Sequence, residues 1–580
     1  MGISNFYTPT NDDYVFAEED DFGFVYSSDK TKLLACTNAD IVEYQVKEGT
    51  KIICENTFFM GEWCDNGLLI ERIHLPNSLK VIDMSAFTNL PKLSYINIPR
   101  NVEIIKPTAF SGICSKVDVD VQSPYFRFVD GMLIDVRENL LLAYLGNDSS
   151  LEIPKDITSI AYAAFAGNKF LRNVTIPNTV TRIDAFAFCS CQLLETVTFE
   201  NDSPLTELES SLFFQCPSLR KVTLPDSVAK ILSSVFQGCS SLKEVKLPRG
   251  LKTIDNLVFA SCESLEHLEI PERVRSIGSH AFSLCTSLEK LTLPTSLEAI
   301  GECAFTNCNA LENVNLPYSL YQVGGGVFRG CMQLHVTSQS ERFVMKDDML
   351  IDKAEKTLLS YIGIDRYVKV PKEIERIASY AFADSSNYLD KIELLETLLY
   401  IGESAFEDSE IFTMTIPYRV KELPNSVFKN CKRLCEVNID GDLTAIGNEA
   451  FSGCSAMKFF TIPETVKTIG DNAFYWCHQL IRIDIPPSVK HIGVDAFNSC
   501  SRLTEISLPD SVESLGDGAF SQCLHLEKIR LSAKLFELGP ETFSECDELK
   551  EIIVPSGYEQ KFKMMVGTEL AGMVHQSKHP

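Results

Sequence analysis

Cysteine is the residue in this chain best able to do chemistry, and it recurs by rule. Of twenty cysteines, thirteen stand three residues after a phenylalanine: Cys191, Cys216, Cys239, Cys262, Cys285, Cys308, Cys331, Cys431, Cys454, Cys477, Cys500, Cys523 and Cys546. Ser385 and Ser409 hold the same place in two further copies. Zinc-type ligation needs matched C-x-x-C pairs. The close pairs here are only Cys189/Cys191 and Cys431/Cys435, so no metal site is expected. A cysteine nucleophile needs a histidine beside it, and the nine histidines keep no common place in the repeat. Gly324-Gly325-Gly326 lacks the Lys-Ser/Thr of a phosphate loop and reads as a tight corner. The expectation is no catalytic residue, no cofactor and no metal, in a protein that is not an enzyme. Equivalent cysteines on stacked coils point the same way, which disfavours pairing. Buried, inert thiols of that kind suit a reducing cytosol or an anaerobe.

The phenylalanines show what must position this ladder. Phe236, Phe259, Phe282, Phe305 and Phe328 step by 23 residues, as do Phe428, Phe451, Phe474, Phe497, Phe520 and Phe543. A constant period of this length marks a solenoid, in which no coil can bury its apolar face alone. The coil ending at Cys262 reads SSLKEVKLPRGLKTIDNLVFASC. Leu242, Val245 and Leu247 make its first side, with Val245 and Leu247 inward and Glu244 and Lys246 outward by the period-two rule. Pro248 has no N–H for the ladder and stops the strand. Leu251 and Ile254 make a second side, and Val258 and Phe259 a third. Glycine follows the isoleucine position at Gly301, Gly470 and Gly493, where a corner would favour its conformational freedom.

Nineteen coil phenylalanines fall in three groups: three from Phe58 to Phe110, eight from Phe165 to Phe328 and eight from Phe382 to Phe543. The step jumps to 55 residues before Phe165 and to 54 before Phe382. Those gaps carry similar segments, FRFVDGMLIDVRENLLLAYL and ERFVMKDDMLIDKAEKTLLSYI, each read as a strand, a polar turn and a second strand ending in Tyr. A weaker copy, DFGFVYSSDKTKLLAC, precedes the first group. The expected organisation is an acidic tail over 1–20, an opening hairpin and three coils over 21–122, and a hairpin plus eight coils over 123–340. A second such module covers 341–557, and a C-terminal cap and tail cover 558–580, with a short helix from Tyr558 to Val574 and a frayed end from His575.

The formal charge of −26 argues against a nucleic-acid partner, which needs a concentrated positive face. No run approaches the eighteen apolar residues of a membrane span. The opening MGISNFYTPTNDDYVF has neither the basic nor the apolar region of a secretory leader. Read alone, these features point to a cytoplasmic, monomeric protein, with the cell surface by a non-standard route as the alternative.

The repeat L-x-x-V-x-L-P-x-S-V-x-x-I-G-x-x-A-F-x-x-C, clear from Ser287 to Cys308 and from Arg502 to Cys523, resembles the BspA-like leucine-rich repeats, also called the Treponema pallidum type. The resemblance runs over roughly residues 22–557. It implies a curved, mainly β repeat solenoid of about nineteen coils, with parallel strands on the concave face and β-hairpin insertions. It also implies protein–protein contact, and several family members look like surface adhesins. The outward residues of the first strands are therefore the candidate partner-binding set: Lys221, Glu244, Lys246, His267, Glu269, Lys290, Asn313, Glu436, Phe459, Arg482, Asp484, Glu505, Lys528 and Arg530. The expected function is a non-enzymatic scaffold for a protein partner. The alternative is an adhesin for a host or bacterial glycoprotein or carbohydrate.

Overall fold

The computed structural model describes residues 9–37, 41–58, 68–88, 90–113, 115–385 and 389–576. The chain forms two compact units, residues 1–298 and 299–580. The first eight residues and the last four, which belong to the expected tails, lie outside the described residues.

Each coil follows from its pattern of apolar and turn-forming residues. In the first unit, Glu244–Lys246 is a strand buried only at its centre, and Thr253–Ile254 is a two-residue strand on the next side. Leu242, Val245, Leu247, Leu251, Ile254, Val258 and Phe259 are all buried. Equivalent strands of successive coils pair in parallel, so Lys221 to Thr223 lie against Glu244 to Lys246 in register. Among the described residues, nineteen two-residue second strands each end five residues before a coil phenylalanine.

Successive coil phenylalanines stack on one another within each unit. In the first unit, Phe188, Phe213, Phe236 and Phe259 stack in sequence with centroids 5.5–5.6 Å apart. In the second, Phe451, Phe474, Phe497 and Phe520 do so at 5.2–5.3 Å. This spacing is near the ~4.8 Å between neighbouring strands, so each ring packs on the next without tilting far.

The corners differ from the sequence expectation. Gly301, Gly470 and Gly493 are not in the left-handed region. That conformation falls two residues before and two after the phenylalanine, as at Asn472 (φ 55°) and Trp476 (φ 59°) around Phe474. Glycine at position 470 has another cause: a Cβ there would meet Oδ1 and the backbone N of Asn448 at 2.5 and 2.6 Å. Those atoms belong to a ladder of amide and carboxylate side chains. Asn425 Oδ1 accepts from the Asn448 N–H (2.9 Å), Asn448 Oδ1 from Asp471 (2.9 Å) and Asp471 Oδ1 from Val494 (2.8 Å). Gly470→Ala is accordingly expected to lower stability by about 1–3 kcal/mol, the usual cost of overpacking. A thermal melt equal to that of the parent protein would refute this cause.

The segments between coil groups are three-stranded meanders rather than two-stranded hairpins. In the first unit, Phe126–Val129, Met132–Asp135 and Leu140–Tyr144 run antiparallel in turn. The second unit repeats this with Phe343–Lys346, Met349–Asp352 and Thr357–Tyr361. The extra strand comes from two-residue turns at Asp130-Gly131 and Asp347-Asp348, whose positive φ suits a tight hairpin. The last meander strand pairs in parallel with the next second strand, and its terminal Tyr joins the column. Tyr144 lies 5.4 Å from Phe165, and Tyr361 lies 5.4 Å from Phe382.

Beside the second meander, Arg329 is 15% exposed, holds Asp384 (2.8 Å) and Asp408 (3.6 Å), and covers the Tyr380 ring. The glycine run serves the same junction: Gly326 takes a left-handed corner, and Gly325 leaves room for the Ser379 carbonyl.

At the start of the first unit, Glu18–Glu19 adds an antiparallel strand to Phe24–Tyr26. The C-terminal segment is not one helix. Glu559–Met565 is helical and buries Phe562, Gly567 (φ 78°) breaks the run, and Val574–Gln576 adds a strand parallel to Glu551–Val554.

Candidate functional site

The first strands expose two side chains per coil by alternation, because the residue between them is held in the core. In the first unit, Lys221, Glu244, Lys246, His267, Glu269 and Lys290 are all exposed around buried Val222, Val245, Leu268 and Leu291. In the second, Asn313, Glu436, Phe459, Arg482, Asp484, Glu505 and Lys528 are exposed. Arg530 differs: it is half-buried, and its guanidinium turns back to the Leu508 carbonyl (2.9 Å) and to Asp510 (3.3 Å).

Pairing brings many of these side chains together. Phe459 registers with Arg482 and Thr461 with Asp484. Glu505 registers with Lys528 and Ser507 with Arg530. A shallow depression of about 260 Å³ lies among Arg482, Asp484, Glu505, Ser507, Lys528 and Arg530. Lys221 reaches Glu244 at 2.9 Å in the first unit, and Arg482 reaches Asp484 at 3.0 Å in the second. Phe459 is 61% exposed, whereas its neighbour Phe460 is buried against Phe451 and Phe474. The face therefore offers an aromatic beside charges of both signs on a rigid sheet. Such a surface suits many modest contacts with a folded protein.

The cysteine ladder has a defined structural role. In the first unit, the thiols of Cys191, Cys216, Cys239, Cys262 and Cys285 donate to the carbonyls of Phe165, Phe188, Phe213, Phe236 and Phe259. In the second, Cys331, Cys431, Cys454, Cys477, Cys500, Cys523 and Cys546 do the same toward the phenylalanine of the previous coil, at 3.0–3.3 Å. Each of these cysteine-bearing coils thus satisfies a carbonyl of its neighbour. Burial pushes the thiols of Cys285, Cys431 and Cys477 up to about 12. Burial likewise raises Cys262, Cys454 and Cys500 well above the ordinary range. Groups this hard to ionise are poor nucleophiles and poor metal ligands. All eighteen described cysteines are thiols.

Among the described residues, no group of three or more His, Cys, Asp or Glu side chains could hold a metal ion. A cavity of about 420 Å³ is lined by Asn307, Asn309, Asp384, Asp408 and Glu410. Arg329 already neutralises two of those carboxylates. No described helix is long and apolar enough to cross a membrane. One exposed group was missed in the sequence: Trp476, which shares its corner with Tyr475 and His478. A tryptophan at a repeat position usually held by Ser, Asn, Gln or Gly was the available signal.

Five stretches, residues 35–129, 142–265, 206–335, 365–481 and 467–566, match the family described as BspA type Leucine rich repeat region (6 copies). Among solved structures, the chain is similar to a leucine-rich repeat protein from Bacteroides ovatus. The two are 24% identical, with 78% of this chain and 98% of that one covered and a TM-score of 0.38. A leucine rich cell surface protein from Faecalibacterium prausnitzii is also 24% identical, covering 77% of this chain and 99% of that one, with a TM-score of 0.42. A leucine-rich repeat protein from Eubacterium ventriosum is 21% identical, covering 65% and 91%, with a TM-score of 0.45. No curated protein matches the chain. With coils of this geometry and matched stretches spanning well over half its length, the chain belongs to the BspA type leucine-rich repeat family.

Proposed function

We propose that the protein is a non-enzymatic scaffold that binds a protein partner across the outward residues of its first strands. The observation that carries this reading is the repeated exposed–buried–exposed strand, which fixes two outward side chains per coil on a hydrogen-bonded sheet. Rigidity matters because side chains already held in place lose little freedom on binding. Phe459 is the anchor, and the charges of Arg482, Asp484, Glu505 and Lys528 form the selective surround. Arg530 contributes through its aliphatic stem, since its guanidinium is engaged. The thiol ladder suits a reducing compartment.

The test starts from a partner recovered from the source cells with the full-length protein and then purified. Titration against the variant carrying Phe459→Ala, Arg482→Ala, Asp484→Ala and Lys528→Ala is expected to show affinity reduced by about thirtyfold or more, the loss of a single hot spot. Parent-level affinity in that variant, with its melt intact, would remove the first-strand face from the account.

A further inference from the structure

The left-handed corner two residues after each core phenylalanine carries small or polar side chains on the neighbouring coils: Asn430, Gly453, Ser499 and Gln522. Trp476 breaks that run. It is one of only two tryptophans in the chain, stands at φ 59°, and is 52% exposed. The left-handed φ belongs to the coil corner itself and is shared by Leu284 (φ 61°) at the same repeat position, so what sets Trp476 apart is the large exposed aromatic side chain.

The indole is part of an ordered aromatic surface. It stacks on Tyr475 with centroids 5.5 Å apart and planes 12° apart, and His478 lies 5.9 Å away at 30°. The Trp476 backbone N–H donates to the Asn498 carbonyl at 3.0 Å, which ties the corner to the next coil. His478 Nδ1 lies 3.0 Å from the Ser499 carbonyl. A carbonyl only accepts, so Nδ1 donates and Nε2 is the ring nitrogen left to face a ligand. On the next coils, Ser499 Oγ lies 2.8 Å from Asn498 Oδ1 and 2.9 Å from Gln522 Oε1. Two charged side chains on these coils are hydrogen-bonded to amides: Asp495 accepts from Asn498 (2.7 Å), and Arg502 donates to Gln479 (2.8 Å).

In a chain of net charge −26, this corner presents an aromatic plane beside amide, hydroxyl and imidazole groups. A basic peptide would seek free carboxylates, and a nucleic acid a positive face. A neutral hexopyranose has the complementary chemistry: a C–H face for the indole, and hydroxyls for amides, a hydroxyl and an imidazole. We infer that Trp476, with Tyr475 and His478, forms a saccharide-binding platform on the second unit, distinct from the first-strand face.

The experiment is titration calorimetry of the full-length protein with soluble oligosaccharides of glucose, of mannose and of N-acetylglucosamine. Saturable binding of at least one is expected, with a dissociation constant of about 1 mM or below. Trp476→Ala and Trp476→Asn should each weaken it by about tenfold or more. Asn tolerates the left-handed corner, so the second variant guards against misfolding in the first. Phe459→Ala should leave saccharide affinity unchanged, and Trp476→Asn should leave protein-partner affinity unchanged. Failure of all three sugars to bind saturably overturns the assignment, as does parent-level binding by a folded Trp476→Asn variant. Loss of saccharide binding in Phe459→Ala overturns its separation from the first-strand face.

Discussion

Raising the solution to about pH 10 is expected to melt the protein, even though apolar packing supplies most of its stability. An unfolded thiol ionises near pH ~8.5, whereas burial holds the thiols of Cys285, Cys431 and Cys477 protonated up to about 12. The folded chain therefore binds these protons more tightly than the unfolded chain does. The stabilisation is complete below about pH 8.5 and is lost as pH rises toward the folded values. At about pH 10, each thiol that stays protonated gives up about 2 kcal/mol relative to unfolding. Stability is marginal overall, so a few such losses in one cooperative stretch exceed what the fold can absorb. Calorimetric melts at stepped pH read the effect directly. Replacing Cys454, Cys477 and Cys500 by Ser keeps an O–H donor without an ionisable thiol; serine already holds a ladder position at Ser409, 3.3 Å from the Cys431 thiol. That variant should lose stability less steeply above about pH 8.5. Equal slopes for parent and variant would show that ladder burial does not govern the alkaline limit.

A second large effect separates the residues that hold the fold from those that face outward. Phe474 is fully buried and lies 5.2 Å from both Phe451 and Phe497. Phe474→Ala is expected to cost about 3–5 kcal/mol, because rings stacked on both sides cannot close the cavity. Coils couple to their neighbours, so the loss should loosen the adjoining coils first and broaden or split the melt. Arg482 and Asp484 flank buried Ile483 on the next coil, and their side chains are 67% and 78% exposed. Replacing both with Ala should change stability by only about 0–1 kcal/mol. A double variant as damaged as Phe474→Ala would mean that the inward and outward registers are reversed.

The coil itself was legible because its physics is local and repeated. The alternation at Glu244-Val245-Lys246 assigns faces, and Pro248 ends the strand. The meanders were read one strand short. Asp130-Gly131 is a strong hairpin signal lying inside what otherwise reads as a single extended run. Gly470 carried the right residue for a different reason, since close approach to Asn448 depends on how adjacent coils register and not on the coil's own pattern. The thiol-to-carbonyl ladder was hidden for the same cause: the cysteine period shows equivalence, but not which backbone atom each Sγ meets. The outward positions were visible by parity. Arg530 shows the limit of parity, because its long side chain folds back onto Leu508 and Asp510.

Hydroxyl-radical footprinting of the full-length protein, alone and with its purified partner, tests the first-strand face most directly. The method reads side chains, and Phe459 is both reactive and exposed. The account predicts that the partner protects Phe459 together with outward residues at the 23-residue spacing of Glu436, Arg482, Glu505 and Lys528. Trp476 should remain as reactive as in the unbound protein. Protection confined to the meanders or to the Trp476 corner, with Phe459 still fully reactive, would contradict it.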